Sequence, residues 1–139
     1  MIEAAVACLA LNIYFEARNQ RVEGQIAVSQ VVLNRVKDKR YPNTICGVVR
    51  QAQYSKISQL PLKYKCQFSW FCDGKTDRPK DLDAFRWSST LAKRILAGEF
   101  SDLVSGATHY HTIYVNPEWN IQKKQVGKIG DHIFYRWMK

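Results

Sequence analysis

The sequence predicts an α+β domain that is mostly helical, with a small antiparallel β-sheet near the C-terminus. Apolar residues recur at three- and four-residue spacing as far as Gly98, and beyond it the pattern turns to alternation. The 139 residues are 46% hydrophobic and contain no repeated, Pro-rich or Gly/Ser-rich tract, which suits one packed core over residues 1–139.

Residues Glu3 to Ala17 contain neither Gly nor Pro, and Ala5, Cys8, Leu9, Asn12, Ile13 and Glu16 share one helical stripe. A first helix is expected there, with Glu16 on its buried side and Asn19 as a left-handed C-terminal cap. A second helix should run from Val22 to Lys37, with Ile26, Val28, Val31, Val32 and Val36 inward, until Tyr41-Pro42-Asn43 breaks it. Thr44 to Gln51 suits a short third helix capped by Asn43. A polar, basic loop through Pro61 should then lead to Cys66. From Gln67 to Pro79 a second loop is expected, turning at Asp73-Gly74, and any aromatic it exposes is a functional candidate. The fourth helix should start near Pro79, end at Gly98 and carry Ala84, Trp87, Leu91 and Ile95 on one stripe. Ala107–Thr112 and His132–Arg136 alternate as strands, and Val126–Ile129 suits a third.

Twenty-one Lys and Arg against twelve Asp and Glu give a net charge of +9, which favours anionic partners without choosing among nucleic acid, lipid surfaces and acidic envelope polymers. No helix carries the basic face of a recognition helix and no strand the aromatic RNA-binding signature, so nucleic acid is not the expected partner. The apolar start lacks a basic leader region and carries Glu3, so it reads as a core helix and not an export signal. Its uncharged run from Ala4 to Phe15 is too short to span a bilayer, and no membrane insertion is expected.

Four cysteines allow three pairings. Cys8, among apolar helix residues, reads as a buried thiol, with one disulfide expected among Cys46, Cys66 and Cys72. Zinc at Cys66/Cys72 and His109/His111 is disfavoured by the cysteine spacing, and a Cys66 or Cys72 nucleophile with His132 has only co-occurrence behind it. No metal or other cofactor is expected.

Glu16 lies among Tyr14, Phe15 and the apolar stripe, where burial would disfavour its charge and keep the proton that a general acid needs. From position alone, a helix-end Glu paired with Arg18 or Arg21 is the structural alternative. The motifs around it say more. Tyr14-Phe15-Glu16-Ala17-Arg18, Glu23-Gly24-Gln25-Ile26-Ala27-Val28 and Val31-Val32-Leu33-Asn34-Arg35-Val36 resemble the catalytic domain of spore cortex-lytic enzymes and related cell-wall hydrolases. The resemblance continues through Tyr41 to Val49, Cys66-Gln67-Phe68-Ser69, Asp73-Gly74, Thr108-His109-Tyr110, Asn116-Pro117, Trp119 and Ile129 to Phe134. Asn19-Gln20 departs from the Gly-Glu more often found in that family, which removes a nearby acid.

The resemblance implies a lysozyme-like cleft that cuts peptidoglycan between N-acetylmuramic acid and N-acetylglucosamine, usually as a lytic transglycosylase, with Glu16 essential. A monomer is expected, acting on the cell wall in the periplasm or outside the cell. With no leader or wall-binding repeat in this chain, a phage-lysin-like protein held in the cytoplasm until lysis or a holin releases it is expected. A true lysozyme would need a second carboxylate, for which Glu23, Asp73 and Asp131 are candidates, Glu23 first because it matches a family acid. Gln67, Ser69, His109, Tyr110, Asn116, Trp119 and His132 are suited to grasping sugar hydroxyls, N-acetyl groups and ring faces, while Phe68 and Phe134 suit the core. A wall-binding module without activity would share the partner but not the need for Glu16.

Overall fold

The computed structural model describes residues 2–138. Four α-helices, α1 (Ile2–Ala17), α2 (Val22–Lys37), α3 (Ile45–Val49) and α4 (Leu82–Leu96), precede a C-terminal antiparallel sheet. That sheet contains β3 (His109–Thr112), β4 (Lys123–Ile129) and β5 (His132–Trp137) in the order β3-β5-β4. Between α3 and α4 lies a hairpin of β1 (Ala52–Tyr54) and β2 (Pro61–Cys66), followed by a 3₁₀ turn over Ser69–Cys72. The α+β class and the position of the three-stranded sheet agree with the sequence.

Helix α2 explains the layering. Gly24 through Val32 are all buried, so this helix has a core on two sides. Ile26 and Val32 join Leu9, Ile13, Leu91 and Ile95 of α1 and α4, whereas Ala27, Val28 and Val31 join Ala17, Val104, Ala107 and Phe134 beneath the sheet. Polar residues of α2 then tie down the segment that leads into β3. Gln30 Nε2 donates to Ser101 O and its Oε1 accepts from Leu103 N, both at 2.8 Å, and Asn34 Nδ2 donates to Ala107 O at 2.8 Å. These bonds set where β3 begins, and so where Tyr110 points.

Several local expectations need correction. Asn19 is not left-handed, because the last carbonyls of α1 are met otherwise: Gln20 N and Gln25 Nε2 both donate to Ala17 O, and Arg18 Nη1 to Tyr14 O. Thr44, not Asn43, caps α3 by accepting from Gly47 N. Helix α4 starts at Leu82, later than Pro79, because the Asp81 side chain caps it by accepting from Ala84 N. The supposed loop to Cys66 is the β1–β2 hairpin, whose residues between Pro61 and Cys66 are all exposed.

Cys8 is no free thiol. The start of α3 brings Cys46 to 5.3 Å from it, Cα to Cα, and the two form a disulfide between α1 and α3. A second disulfide, Cys66–Cys72, closes the 3₁₀ turn onto the end of β2. Both thiols of the zinc and cysteine-nucleophile readings are consumed in it.

Candidate active site

Glu16 sits at the seam between the two cores, on the last turn of α1, where the inward face of β3 meets the helix. The Tyr110 hydroxyl donates to Glu16 Oε1. Alternation along β3 turns Tyr110 inward against Phe134 and His132, with ring centroids 5.6 and 5.0 Å away, so the phenol is fixed by its packing. Beneath them lies Arg35 of α2, buried although charged, its Nε donating to Thr108 O at 2.7 Å. Its guanidinium stands over the rings of Tyr41 and Phe68 at 5.1 and 5.4 Å, and Nη1 has no protein partner.

Burial holds the Glu16 carboxyl above its ordinary range, opposed by the Tyr110 hydrogen bond and the Arg35 charge. Burial and the adjoining Glu16 carboxylate hold Tyr110 well above its own range, so it stays a donor. A carboxyl whose proton affinity is raised by burial, with one oxygen already bonded, is suited to general acid work and then to the reverse transfer.

Glu16 opens on a cleft of about 420 Å³. Tyr14, Phe15 and Trp70 form its apolar wall, Phe15 stacking on Trp70 at 4.9 Å with Trp70 Nε1 donating to Asn12 Oδ1. Ser69, Asp73 and Thr76 add polar groups, and Arg18, Lys75, Arg78 and Lys80 a basic rim. Trp70 is buried and shows the cleft only a small part of its surface.

Of the residues singled out from sequence, Glu16, Ser69 and Asp73 line the cleft, and Tyr110 and His132 stand behind Glu16. His132 is buried behind Tyr110, and burial, more than the nearby His111, depresses its basicity against the pull of Asp131. His109 points to the opposite face of the sheet, where it packs with Trp119 and Trp137 at 5.1 Å each. Trp119 covers that outer face, and Asn116 is exposed, accepting from Asn120 at 2.6 Å. Gln67 is exposed and outside the cleft lining, its backbone N–H donating to Gln51 O. Glu23 is exposed on the first turn of α2 and also outside it. Asp131 exchanges hydrogen bonds with Gln20, and of the three proposed second carboxylates only Asp73 lines the cleft with Glu16. Arg35 escaped sequence reasoning, although a cation seven residues after Val28 lies on a buried stripe and demands a partner. The rim cations escaped because a loop conformation gathers them.

A family model described as cell wall hydrolase matches residues 19–135, which contain Arg35, the rim cations beyond Arg18, and Tyr110, and begin just after Glu16. The chain belongs to the cell wall hydrolase family. Among relatives of this chain, the spore cortex-lytic enzyme of Bacillus cereus is 28% identical over 136 residues, covering 93% of this chain and 43% of the relative. That of Halalkalibacterium halodurans is 30% identical over 134 residues, covering 93% and 34%. The chain thus spans less than half the length of these curated relatives. Its fold matches the catalytic domain of the Bacillus cereus SleB protein with a TM-score of 0.65 at 24% identity, covering 96% of this chain and 91% of that one. The catalytic domain of the germination-specific lytic transglycosylase SleB from Bacillus anthracis matches with a TM-score of 0.67, also at 24% identity, over 95% and 93%.

Proposed function

We propose that residues 1–139 act as one catalytic unit, a monomer that cleaves peptidoglycan glycan strands between N-acetylmuramic acid and N-acetylglucosamine. The proposed reaction is that of a lytic transglycosylase. Glu16 gives its proton to the glycosidic oxygen as the bond from C1 of the muramic acid breaks. The Glu16 carboxylate then takes the proton of the C6 hydroxyl, whose oxygen closes on C1 to leave a 1,6-anhydro end. The acid is regenerated and no water is consumed.

The observation that carries this reading is the Tyr110 hydrogen bond on a carboxyl that faces the cleft. Burial favours the protonated form that starts the reaction, and the phenol steadies the charged form that follows. The apolar wall of Phe15 and Trp70 suits one face of a pyranose ring. The family, and the name of the Bacillus anthracis relative, point the same way. Two disulfides suit action at the cell wall, outside a reducing cytoplasm.

Asp73 in the same cleft favours one second reading, a hydrolytic muramidase in which it activates water. Mass spectrometry of digested sacculi separates the two. Anhydro-muramic ends are expected; reducing muramic ends would replace the transglycosylase by a muramidase, and reducing glucosamine ends would overturn the assigned bond.

A further inference from the structure

The rim of the cleft is charged beyond what the bond-breaking chemistry uses. Arg18, Lys75, Arg78 and Lys80 line one cavity with Glu16 and Asp73. Among the described residues the ion pairs are Asp38–Arg40, Asp83–Arg86 and Glu99–Arg94, so none of the four rim cations has a carboxylate within 4.0 Å.

The segments that carry these cations are also held in place. Tyr14 anchors two of the segments that carry them: the Arg18 guanidinium lies 4.5 Å over its ring, with Nη1 donating to its carbonyl at 3.1 Å. From the other side, Tyr14 Oη accepts the backbone N–H groups of Lys80 and Asp81 at 3.1 and 3.0 Å, which fixes the end of the loop bearing Arg78 and Lys80. Lys75 is placed by a turn in which Asp73 Oδ1 accepts its N–H at 2.9 Å, with Gly74 at φ 83°. Lys63 of β2 lies against the same turn: a Cβ added at Gly74 would stand 2.8 Å from its Cε and 3.2 Å from its Nζ.

We propose that this rim is a subsite for a carboxylate of the glycan substrate, borne by the muramic acid or its attached peptide. The proposal rests on the reading of Glu16 as the acid of glycan cleavage. Muramic acid carries a lactyl group on its ring, which can stand as a free carboxylate or as the amide link to a stem peptide that brings carboxylates of its own. Both sources offer the same ligand to a basic rim beside the scissile bond.

The test is a cycle of two perturbations, read as KM and kcat on soluble glycan fragments. One is the triple variant K75Q/R78Q/K80Q; the other is substrate whose carboxylates have been converted to neutral methylamides. Each alone should raise KM about tenfold at low salt, since three partly exposed charge pairs contribute roughly twofold to threefold apiece, with kcat little changed. Applied together they should do no more than either alone. The charge-conserving variant K75R/R78K/K80R should keep the wild-type KM, which excludes a folding defect. Removing the stems with an amidase, which frees the lactyl carboxylate, distinguishes the sources: KM rises as on amidation if stem carboxylates are the ligand, and falls if the lactyl carboxylate is, a fall that amidation after stem removal should reverse. Additive effects, or a wild-type KM indifferent to amidation both before and after stem removal, overturn the subsite while leaving glycan cleavage standing. Wild-type protein that releases no fragments from any of these substrates overturns the cleavage reading itself.

Discussion

Replacing Tyr110 by Phe removes one hydrogen bond and leaves the ring. That bond is the one hydrogen bond made by the Glu16 side chain among the described residues, so the carboxylate would keep only the field of Arg35. A hydrogen bond to a charged, partly buried group contributes about 1.5–3 kcal/mol. Much of that is at stake as negative charge develops on Glu16, so kcat/KM on sacculi should fall about 10- to 100-fold. The pH profile gives a second readout. Tyr110 lowers the proton affinity of Glu16, so without it the carboxyl stays protonated to higher pH, and the alkaline limb of the kcat/KM profile should move up in pH as the maximum drops. The ring contacts with Phe134 and His132 can survive the change, and thermal unfolding should show the fold intact. An unchanged rate with an unmoved limb, or a limb displaced to lower pH, would refute the reasoning.

Glu16→Gln should stabilise the fold by about 1 kcal/mol at neutral pH, as relief of a costly active-site group commonly does. Because folding raises the carboxyl's proton affinity, wild-type stability falls as pH rises from the unfolded value through the folded one; the gain should vanish in acid, where Glu16 is protonated in both states, and denaturant melts across pH check this. Burial, with the charges of Arg35, Lys123 and Arg40, depresses His109 to about 3, so proton uptake by the unfolded chain should erode stability as pH falls below 6.5 toward 3. His109→Phe should remove that part of the slope. Eliminating Cys8–Cys46 as the double Ala variant should cost about 4 kcal/mol and Cys66–Cys72 about 2, from their loop lengths of 38 and 6 residues. Urea melts measure both, and the second variant should raise KM as well, since its loop carries Ser69 and Trp70. Arg35→Lys loses the Thr108 bond and the flat packing between Tyr41 and Phe68, and should cost about 2–3 kcal/mol in the same assay.

The helices were legible where one face or both are buried. Val22–Lys37 was read from its apolar spacing, and His132 to Arg136 from alternation, because packing in each repeats with the period of the element. The β1–β2 hairpin was not, because β2 exposes both faces and carries Lys63, Tyr64 and Lys65 in sequence; Tyr64 even takes φ 63°. With no buried face there is no period to read. The same alternation bore on the site. His109 and Tyr110 are neighbours on one strand and must face opposite ways, so both could not serve the Glu16 cleft; the inward one is Tyr110. Glu16 itself was legible as an acid on a buried stripe. The phenol that holds it lies 94 residues away, and its approach depends on α2 fixing the start of β3, which no local pattern encodes.

The central claim is that the Glu16 carboxyl breaks the glycan bond, and the release of soluble fragments from purified sacculi by folded Glu16→Gln protein tests it most directly. Gln keeps an acceptor for Tyr110 and cannot give up or take a proton in this reaction, so binding to sacculi should persist while fragment release falls to background. Fragment release at the wild-type rate would contradict the account.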